Sequence, residues 1–577
     1  IYTPLYTLSL HDALPISGVV LVGGTANSVV NRGTIDTLPG VAGRALVGGS
    51  GSETVDNDGT VTGSVELGGG SNAFNNRTGS VLNAGAVIQL GAGNALTNAG
   101  TLSPGGRGTV QTTAFTGNYV QQAGGRFVAD LDLRNDVSDR LDLAGSASLD
   151  GTLQLGFVNG GWAQPGSRQA GVFSGTGSVG NAGLALVAPQ SAIAAFTLVS
   201  PTPNTMALAY TIDYVPGGLN ANQARVAAYV NAIQQAGGTA DFAPYADRLL
   251  SMPDVASLGT AYDQLSPAPL VATAATAVRA DQRFSDALHS CRVREGEFRF
   301  VGEGECSWVR LSDSRLDQDH TGSNLGFDSR TTTLAAGAQK HVAPDWSAGL
   351  GFSVDTSTLK VASNARSEGK LFAVGAIAKR NVGADAFTAS LDLAYGRYDT
   401  DRNVGLAVAS SDQHVGLASA HVRWSRDYEQ DKVWYVRPLF DVGLTYAYHG
   451  AFDETGAGGA NLSAKSGSDT LLSLQPGVEL GREIALADGT LLRPYGRVGM
   501  THYASGTASA VTASLQGAPA GTAPFVVESR MDRTYGDLSL GLDVLRTKGW
   551  VFRVGYTGQF SAHSEDHSAM LKVAIPF

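Results

Sequence analysis

The residues whose types could carry chemistry are few and scattered. Gly175-Thr176-Gly177-Ser178-Val179-Gly180 has the letters of a dinucleotide fingerprint. That chemistry needs a strand before the glycines and a helix after them, so that backbone N–H groups meet a pyrophosphate. No such pattern surrounds it, and with 74 glycines in 577 residues chance accounts for the match. Asp56-Asn57-Asp58-Gly59 starts like a calcium loop but lacks the later oxygen ligands and the closing Glu, and reads as a solvated turn. Gly536-Asp537-Leu538-Ser539-Leu540 holds the letters of a hydrolase motif in the wrong order, and the alternation of Leu538, Leu540 and Leu542 explains them better. His563 and His567 are four apart but across a turn, so no metal is assigned to them. No nucleophile elbow or triad framework is present. The expectation is therefore a chain with no catalytic residues, no cofactor site and no metal site. Cys291 and Cys306 are the only cysteines, flanking Arg292–Glu305. No His cluster accompanies them, which argues against zinc. In an exported protein a lone close pair reads most simply as one disulfide; two independent thiols are the alternative.

The elements around these residues must therefore explain the chain. Charged residues are only 16% and the net charge is −11. A nucleic-acid partner needs a basic face, so none is expected. Abundant glycine with few charges fits turn-rich β architecture. No apolar run is long enough for a spanning helix, so a membrane location requires a closed barrel, which satisfies its own backbone.

Residues 308–577 read as about twelve alternating segments, from Trp308–Ser314 to His567–Phe577. In the last, Leu571, Val573, Ile575 and Phe577 share one face, and Lys572, Ala574 and Pro576 the other. Trp346, Leu350, Phe352 and Val354 likewise oppose Ser347, Ser353 and Asp355. Segments of about ten residues or more, even in number, with aromatics near their ends, predict an antiparallel transmembrane β-barrel in outer-membrane lipid.

Upstream, a turn motif recurs at Asn31-Arg32-Gly33-Thr34, Asn57-Asp58-Gly59-Thr60 and Asn98-Ala99-Gly100-Thr101, with a variant at Asn76-Arg77-Thr78-Gly79-Ser80. Intervals near 20–26 residues, or twice that, predict the rungs of a right-handed parallel β-helix over residues 18–100. Stronger alternating strands follow over 101–215, such as Gly125–Leu133 and Ala147–Leu155. Residues 216–307 turn helical, with Asn220–Gln235, Val255–Leu265 and Leu270–Leu288 as helices. The last carries Thr273, Thr276, Arg279, Asp281, Gln282, Arg283 and Asp286 among small alanines.

The series Leu102-Ser103-Pro104-Gly105-Gly106, Gly117-Asn118-Tyr119, Ser138-Asp139-Arg140-Leu141 and Gly151-Thr152-Leu153 resembles the end of a pertactin-type passenger. The linker segments Asn222–Arg225, Tyr262–Ser266 and Arg279–Phe284 resemble the helical linker ahead of autotransporter barrels. The order of parts over most of residues 85–577 is similar to a pertactin-type autotransporter. The resemblance implies that 101–215 is an autochaperone-like region that folds first, and that a helix over 270–288 runs through the barrel lumen. It implies a terminal strand, with Leu571, Val573, Ile575 and Phe577, read by the barrel-assembly machinery, and periplasmic chaperones as further partners. Some members cut the passenger at an Asn-Asn pair in the lumenal helix; here the only consecutive asparagines, Asn75-Asn76, lie in the passenger.

Residues 1–17 lack the basic start and continuous apolar core of a signal peptide, and Tyr6–Ser17 matches the conceptual translation of a sequencing adapter. They are expected to be an artefact that hides the true start. The functional expectation is an outer-membrane autotransporter displaying an adhesin-like virulence passenger toward a host or cell-surface ligand. The alternative is a translocator whose protease or esterase domain lies upstream.

Overall fold

The computed structural model describes residues 17–289, 291, 305–362, 364–430, 433–545 and 550–576. Residues 1–16, most of the predicted artefact, and the terminal Phe577 fall outside them; Ser17 opens the first strand, Ser17–Val20. The chain divides into two compact units, residues 1–217 with 230–258, and 218–229 with 259–577.

The first unit is a stack of parallel strands in two long sheets. One sheet runs Ala26–Asn31, Ser52–Asn57, Ala73–Asn76, Ala95–Asn98, Asn118–Gln121, Ala147–Leu149 and Val179–Asn181, each parallel to the next. Alternation sends every second side chain inward. Val55, Phe74, Leu96 and Tyr119 therefore align in register and are fully buried. Phe115, Tyr119, Phe173 and Phe127 continue this core as a run of ring contacts, with centroids 4.6–6.3 Å apart.

The recurring asparagine marks the corner of four successive rungs. Asn31 Nδ2 donates to Asn57 Oδ1 (2.7 Å), Asn57 to Asn76 (2.8 Å) and Asn76 to Asn98 (2.8 Å). Each of the first three also donates to a backbone carbonyl one turn on, at Thr60, Val81 and Thr101. A buried amide must spend its polar atoms on partners. An asparagine at the same corner of four successive rungs supplies both donor and acceptor to its neighbours, so this ladder fixes the register of that part of the stack.

Parallel rungs continue past residue 100, to the pairing of Thr152–Val158 with Ala185–Val187. There the pattern reverses. Gly166–Gly175 pairs antiparallel with Thr205–Ile212, which pairs antiparallel with Ala194–Thr202. This closes one end of the stack and covers an otherwise open strand edge.

Four helices follow: α1 (Ala221–Gln235), α2 (Ala243–Leu250), α3 (Val255–Gln264) and α4 (Ala268–Leu288). The boundary between the units falls within α1. Helix α2 was not legible in the sequence. It has only eight residues, with Pro244 in its first turn, and its apolar side chains at Ala246, Leu249 and Leu250 are too few to show a period.

The second unit contains twelve long strands: β1 (Cys306–His320), β2 (Leu325–Ala343), β3 (Trp346–Val361), β4 (Ala365–Val382), β5 (Asp385–Val404), β6 (Ala407–Arg426), β7 (Trp434–His449), β8 (Gly467–Arg482), β9 (Leu491–Ser505), β10 (Thr534–Leu545), β11 (Val551–Phe560) and β12 (Ser564–Pro576). Neighbours pair antiparallel, and β12 pairs with β1 from Cys306↔Pro576 to Gln318↔Ser564, so the sheet closes on itself. Each of the twelve predicted segments overlaps one of these strands. A second, four-stranded sheet of Phe452–Asp453, Leu462–Ala464, Ala508–Leu515 and Phe525–Arg530 is built from the segments after β7 and β9.

Candidate functional site in the barrel lumen

Polarity is inverted across the barrel wall. Leu350 is 70% exposed on the outside, and Leu391, Leu393, Val498, Phe352 and Leu571 are also exposed. Arg437, Asp441, Glu479, Arg493 and Lys572 point inward and are buried. Water would drive those apolar chains inside; a hydrocarbon surround holds them outside. Trp346, Phe387, Trp434 and Trp550 stand exposed near the strand ends beside the short turns, where an interfacial girdle belongs. Arg380 lies over Trp346 and Arg482 over Trp434, with 5.5 and 5.1 Å to the ring centres. Among the described residues no helix is long and apolar enough to cross a membrane.

Helix α4 lies within the ring. Arg283 Nη1 donates to Asp566 Oδ2 on β12 (2.8 Å) and Gln282 Nε2 to the Tyr503 hydroxyl on β9 (2.8 Å). Ser285 Oγ donates to Asp392 on β5, and Ser419 Oγ on β6 to Asp281, each at 2.5 Å. Arg423 on β6 donates to Asp286 (2.8 Å). Arg279 bonds Gln559 on β11 and lies 4.4 Å from the Tyr535 ring centre on β10. Partners on β5, β6 and β9 to β12 meet a single helix only if the wall surrounds it. One position where the helix comes closest is a pair of glycines, Gly351 and Gly375, directly opposite each other on β3 and β4. A Cβ at Gly351 would lie 2.7 Å from Leu288, and one at Gly375 2.6 Å from Leu288 and 3.0 Å from Phe284. The absence of side chains there lets the helix seat directly on the wall.

Five of the seven polar residues singled out on this helix, Arg279, Asp281, Gln282, Arg283 and Asp286, reach the wall. Thr273 and Thr276 instead bond back to the Pro269 and Ala272 carbonyls of their own helix. Cys291 and Cys306 are joined by a disulfide with a Cα separation of 6.1 Å, tying the chain just after α4 to the first residue of β1. On β12, Leu571 and Ile575 are exposed on the outer face; Phe577 lies outside the described residues. The motifs set aside as look-alikes have structural partners. Asp56 pairs with Arg77 (2.6 Å) and Asn57 sits in the ladder. His563 bonds Asp532 (3.1 Å) and His567 bonds the Tyr556 hydroxyl (2.7 Å). Asp537 accepts from Thr501 (2.7 Å).

At the end of the barrel opposite the short turns, α1 meets the four-stranded sheet. Asn222 Nδ2 donates to the Glu528 carbonyl (2.6 Å) and Asn222 Oδ1 accepts from the Glu528 N–H (3.1 Å). Asn324, after β1, does the same to Arg530, at 2.7 and 3.1 Å. Two side chains thus satisfy the open edge of Phe525–Arg530. Sequence reasoning missed this, because an isolated Asn in a loop carries no periodic signal.

Residues 307–557 match the family model described as the autotransporter β-domain. This part of the chain is an autotransporter β-domain. Its barrel lies in the outer membrane, supports secretion, and carries the β-helical passenger to the cell surface. No curated protein matches the chain. Among solved structures, it is similar to the translocator domain of autotransporter NalP from Neisseria meningitidis, with 16% identity, TM-score 0.44, 54% of this chain and 100% of that one covered. It is also similar to the β-domain of the Bordetella autotransporter BrkA, with 18% identity, TM-score 0.35, and 48% and 100% covered. The transport unit of autotransporter AIDA-I from Escherichia coli aligns at 12% identity, TM-score 0.33, over 51% and 96%.

Proposed function

We propose that the passenger of this autotransporter is a pertactin-type, adhesin-like stalk rather than an enzyme. The observation that carries this reading is a flat stripe on the seven-stranded sheet. Val30, Asp56, Asn75, Thr97, Val120 and Ser148 align in register, one per rung, on the face turned away from the core. A repeating, shallow surface suits contact with an extended or macromolecular ligand better than it suits a reaction, which needs converging groups in a cleft. The antiparallel cap over 166–212 supports an autochaperone-like role, because a closed end with aromatic packing is a nucleus on which further rungs can stack. The outward apolar face of the last strand supports recognition by the barrel-assembly machinery, and chaperone escort before insertion follows from the exposed apolar strands.

The test displays the chain behind an export signal on a bacterium that lacks adhesins. Adhesion to host cells or matrix should fall when Asp56, Asn75 and Thr97 are all changed to Lys, with surface display unchanged. Unaltered adhesion in the triple variant, or protease or esterase turnover by displayed cells, would select the enzyme-bearing alternative.

A further inference from the structure

The lumen contains a cavity of about 160 Å³ between the C-terminal half of α4 and the wall. That is more than ten times the roughly 10–15 Å³ a single water needs. Six arginines line it: Arg279 and Arg283 from α4, and Arg310, Arg423, Arg497 and Arg553 from β1, β6, β9 and β11. Four carboxylates line it too, Asp286, Glu479, Asp537 and Asp566. Most of these charges are committed. Arg283 pairs with Asp566, Arg423 with Asp286 and Asp441, and Arg553 with Asp543. Glu479 is taken by Arg437 and the Tyr435 hydroxyl.

Arg310 and Arg497 are different. Among the described residues neither makes an ion pair or a hydrogen bond, and Arg310 is only 7% exposed. Arg497 is half-buried, and the Nε of Arg310 is buried without a partner; a guanidinium held out of water without hydrogen-bond partners is costly. The buried polar atoms that line the cavity and lack a partner are Arg283 Nε, Arg310 Nε, His289 Nε2, His421 Nε2 and Ser568 Oγ. All belong to basic or hydroxyl side chains. None is a carboxylate oxygen.

We propose that this cavity is a binding site for a small oxyanion with the chemistry of phosphate or sulfate. A planar guanidinium presents paired N–H donors that match two oxygens of such an ion, and Arg310 and Arg497 hold two such forks that no carboxylate of the described residues engages. The lining side chains face the lumen, so lipid headgroups on the far side of the wall do not reach them, and the space admits no macromolecule. The ion bridges α4, through Arg283, to the wall, through Arg310 and Arg497. It thereby fastens the lumenal helix at a point where the protein alone leaves guanidinium donors unpaired. The site is independent of what the passenger binds.

The test uses the full chain, folded in zwitterionic detergent micelles. Isothermal titration with sodium phosphate is compared with sodium chloride at matched ionic strength, and the thermal unfolding of the barrel is followed by its heat-dependent gel mobility. Phosphate should bind saturably and raise the unfolding midpoint, while chloride should do neither. The double variant Arg310→Gln/Arg497→Gln should weaken phosphate binding about tenfold or more. Arg330→Gln, which removes an exposed arginine paired with Asp313, should leave it unchanged. Arg310→Lys/Arg497→Lys keeps the charge and loses the fork, and should bind with intermediate strength. If the glutamine variant fails to fold, the lysine variant and the phosphate-over-chloride selectivity of the unaltered chain still decide. Equal effects of phosphate and chloride, or undiminished phosphate binding in a folded double variant, overturn the proposal.

Discussion

Nδ2 of Asn57 donates to Oδ1 of Asn76 at 2.8 Å across two rungs of the passenger, and both residues are buried. Asn76 passes the same bond on to Asn98. Replacing Asn76 by Ala therefore removes one acceptor of the Asn57 amide and the side-chain donor to Asn98 Oδ1 at once. A buried unsatisfied polar group costs about 1–3 kcal/mol. Asn76→Ala should lower the passenger's urea midpoint, read by tryptophan-independent circular dichroism, while the heat-dependent mobility of the barrel stays unchanged. An unaltered midpoint would mean the ladder contributes nothing to stability.

Asp139 predicts a pH dependence for the same unit. Its carboxylate accepts from the Gln111 N–H (2.7 Å) and the Asp130 N–H (2.9 Å), stitching three segments together. Burial pushes its pKa up to about 8, with the nearby Asp130 charge adding to the rise and the two backbone donors opposing it. The unfolded carboxyl titrates near 3.8. Between these values the folded form holds a proton that the unfolded form has lost, so stability is full below the unfolded pKa and declines as pH rises through about 8. Passenger unfolding should need less denaturant at pH 9 than at pH 5. Asp139→Asn should flatten that slope; an equally steep slope in the variant would assign the effect to another group.

Much of this architecture was legible in the chain. Alternation over ten or more residues exposes barrel strands because both faces are under selection by different media, lipid outside and polar groups within. The Asn-x-Gly-Thr corners were visible because three rungs repeat them and a fourth carries a variant. Leu270–Leu288 stood out by composition, small alanines with polar residues between. What stayed hidden depends on long-range pairing. Arg310 looks like any inward arginine until its neighbours are known, and Asn222 and Asn324 become edge caps only beside Phe525–Arg530. That sheet comes from two separate segments, with strands as short as two residues in Phe452–Asp453, which carry no period.

The glycine seat on β3 and β4 makes a third prediction. Gly375→Val places a branched side chain where Leu288 and Phe284 now sit. The barrel should still close, since the strand pairing is untouched, but α4 should be displaced from the wall. Single-channel conductance in planar bilayers should rise in Gly375→Val and not in Gly322→Ala, which lies in the loop after β1 with open space around it. Equal conductance in both would place the helix elsewhere.

The Cys291–Cys306 bond closes a loop with a sequence separation of 15. In the chain-entropy model such a closure is worth about 3 kcal/mol. Cys291→Ser/Cys306→Ser should lower the barrel's unfolding temperature and remove the mobility difference between reduced and non-reduced samples. A thiol assay that finds two free cysteines in the denatured, unreduced protein would contradict the linkage.

The central claim is that α4 occupies the lumen and joins passenger to pore. It is tested most directly by placing a photo-crosslinking phenylalanine analogue at Phe284 in the folded, full-length protein and mapping the products by mass spectrometry. The account predicts intramolecular crosslinks into β4 around Gly375, with none to lipid or to other proteins. Crosslinks to lipid, to a second protein or only within the helical linker would contradict it.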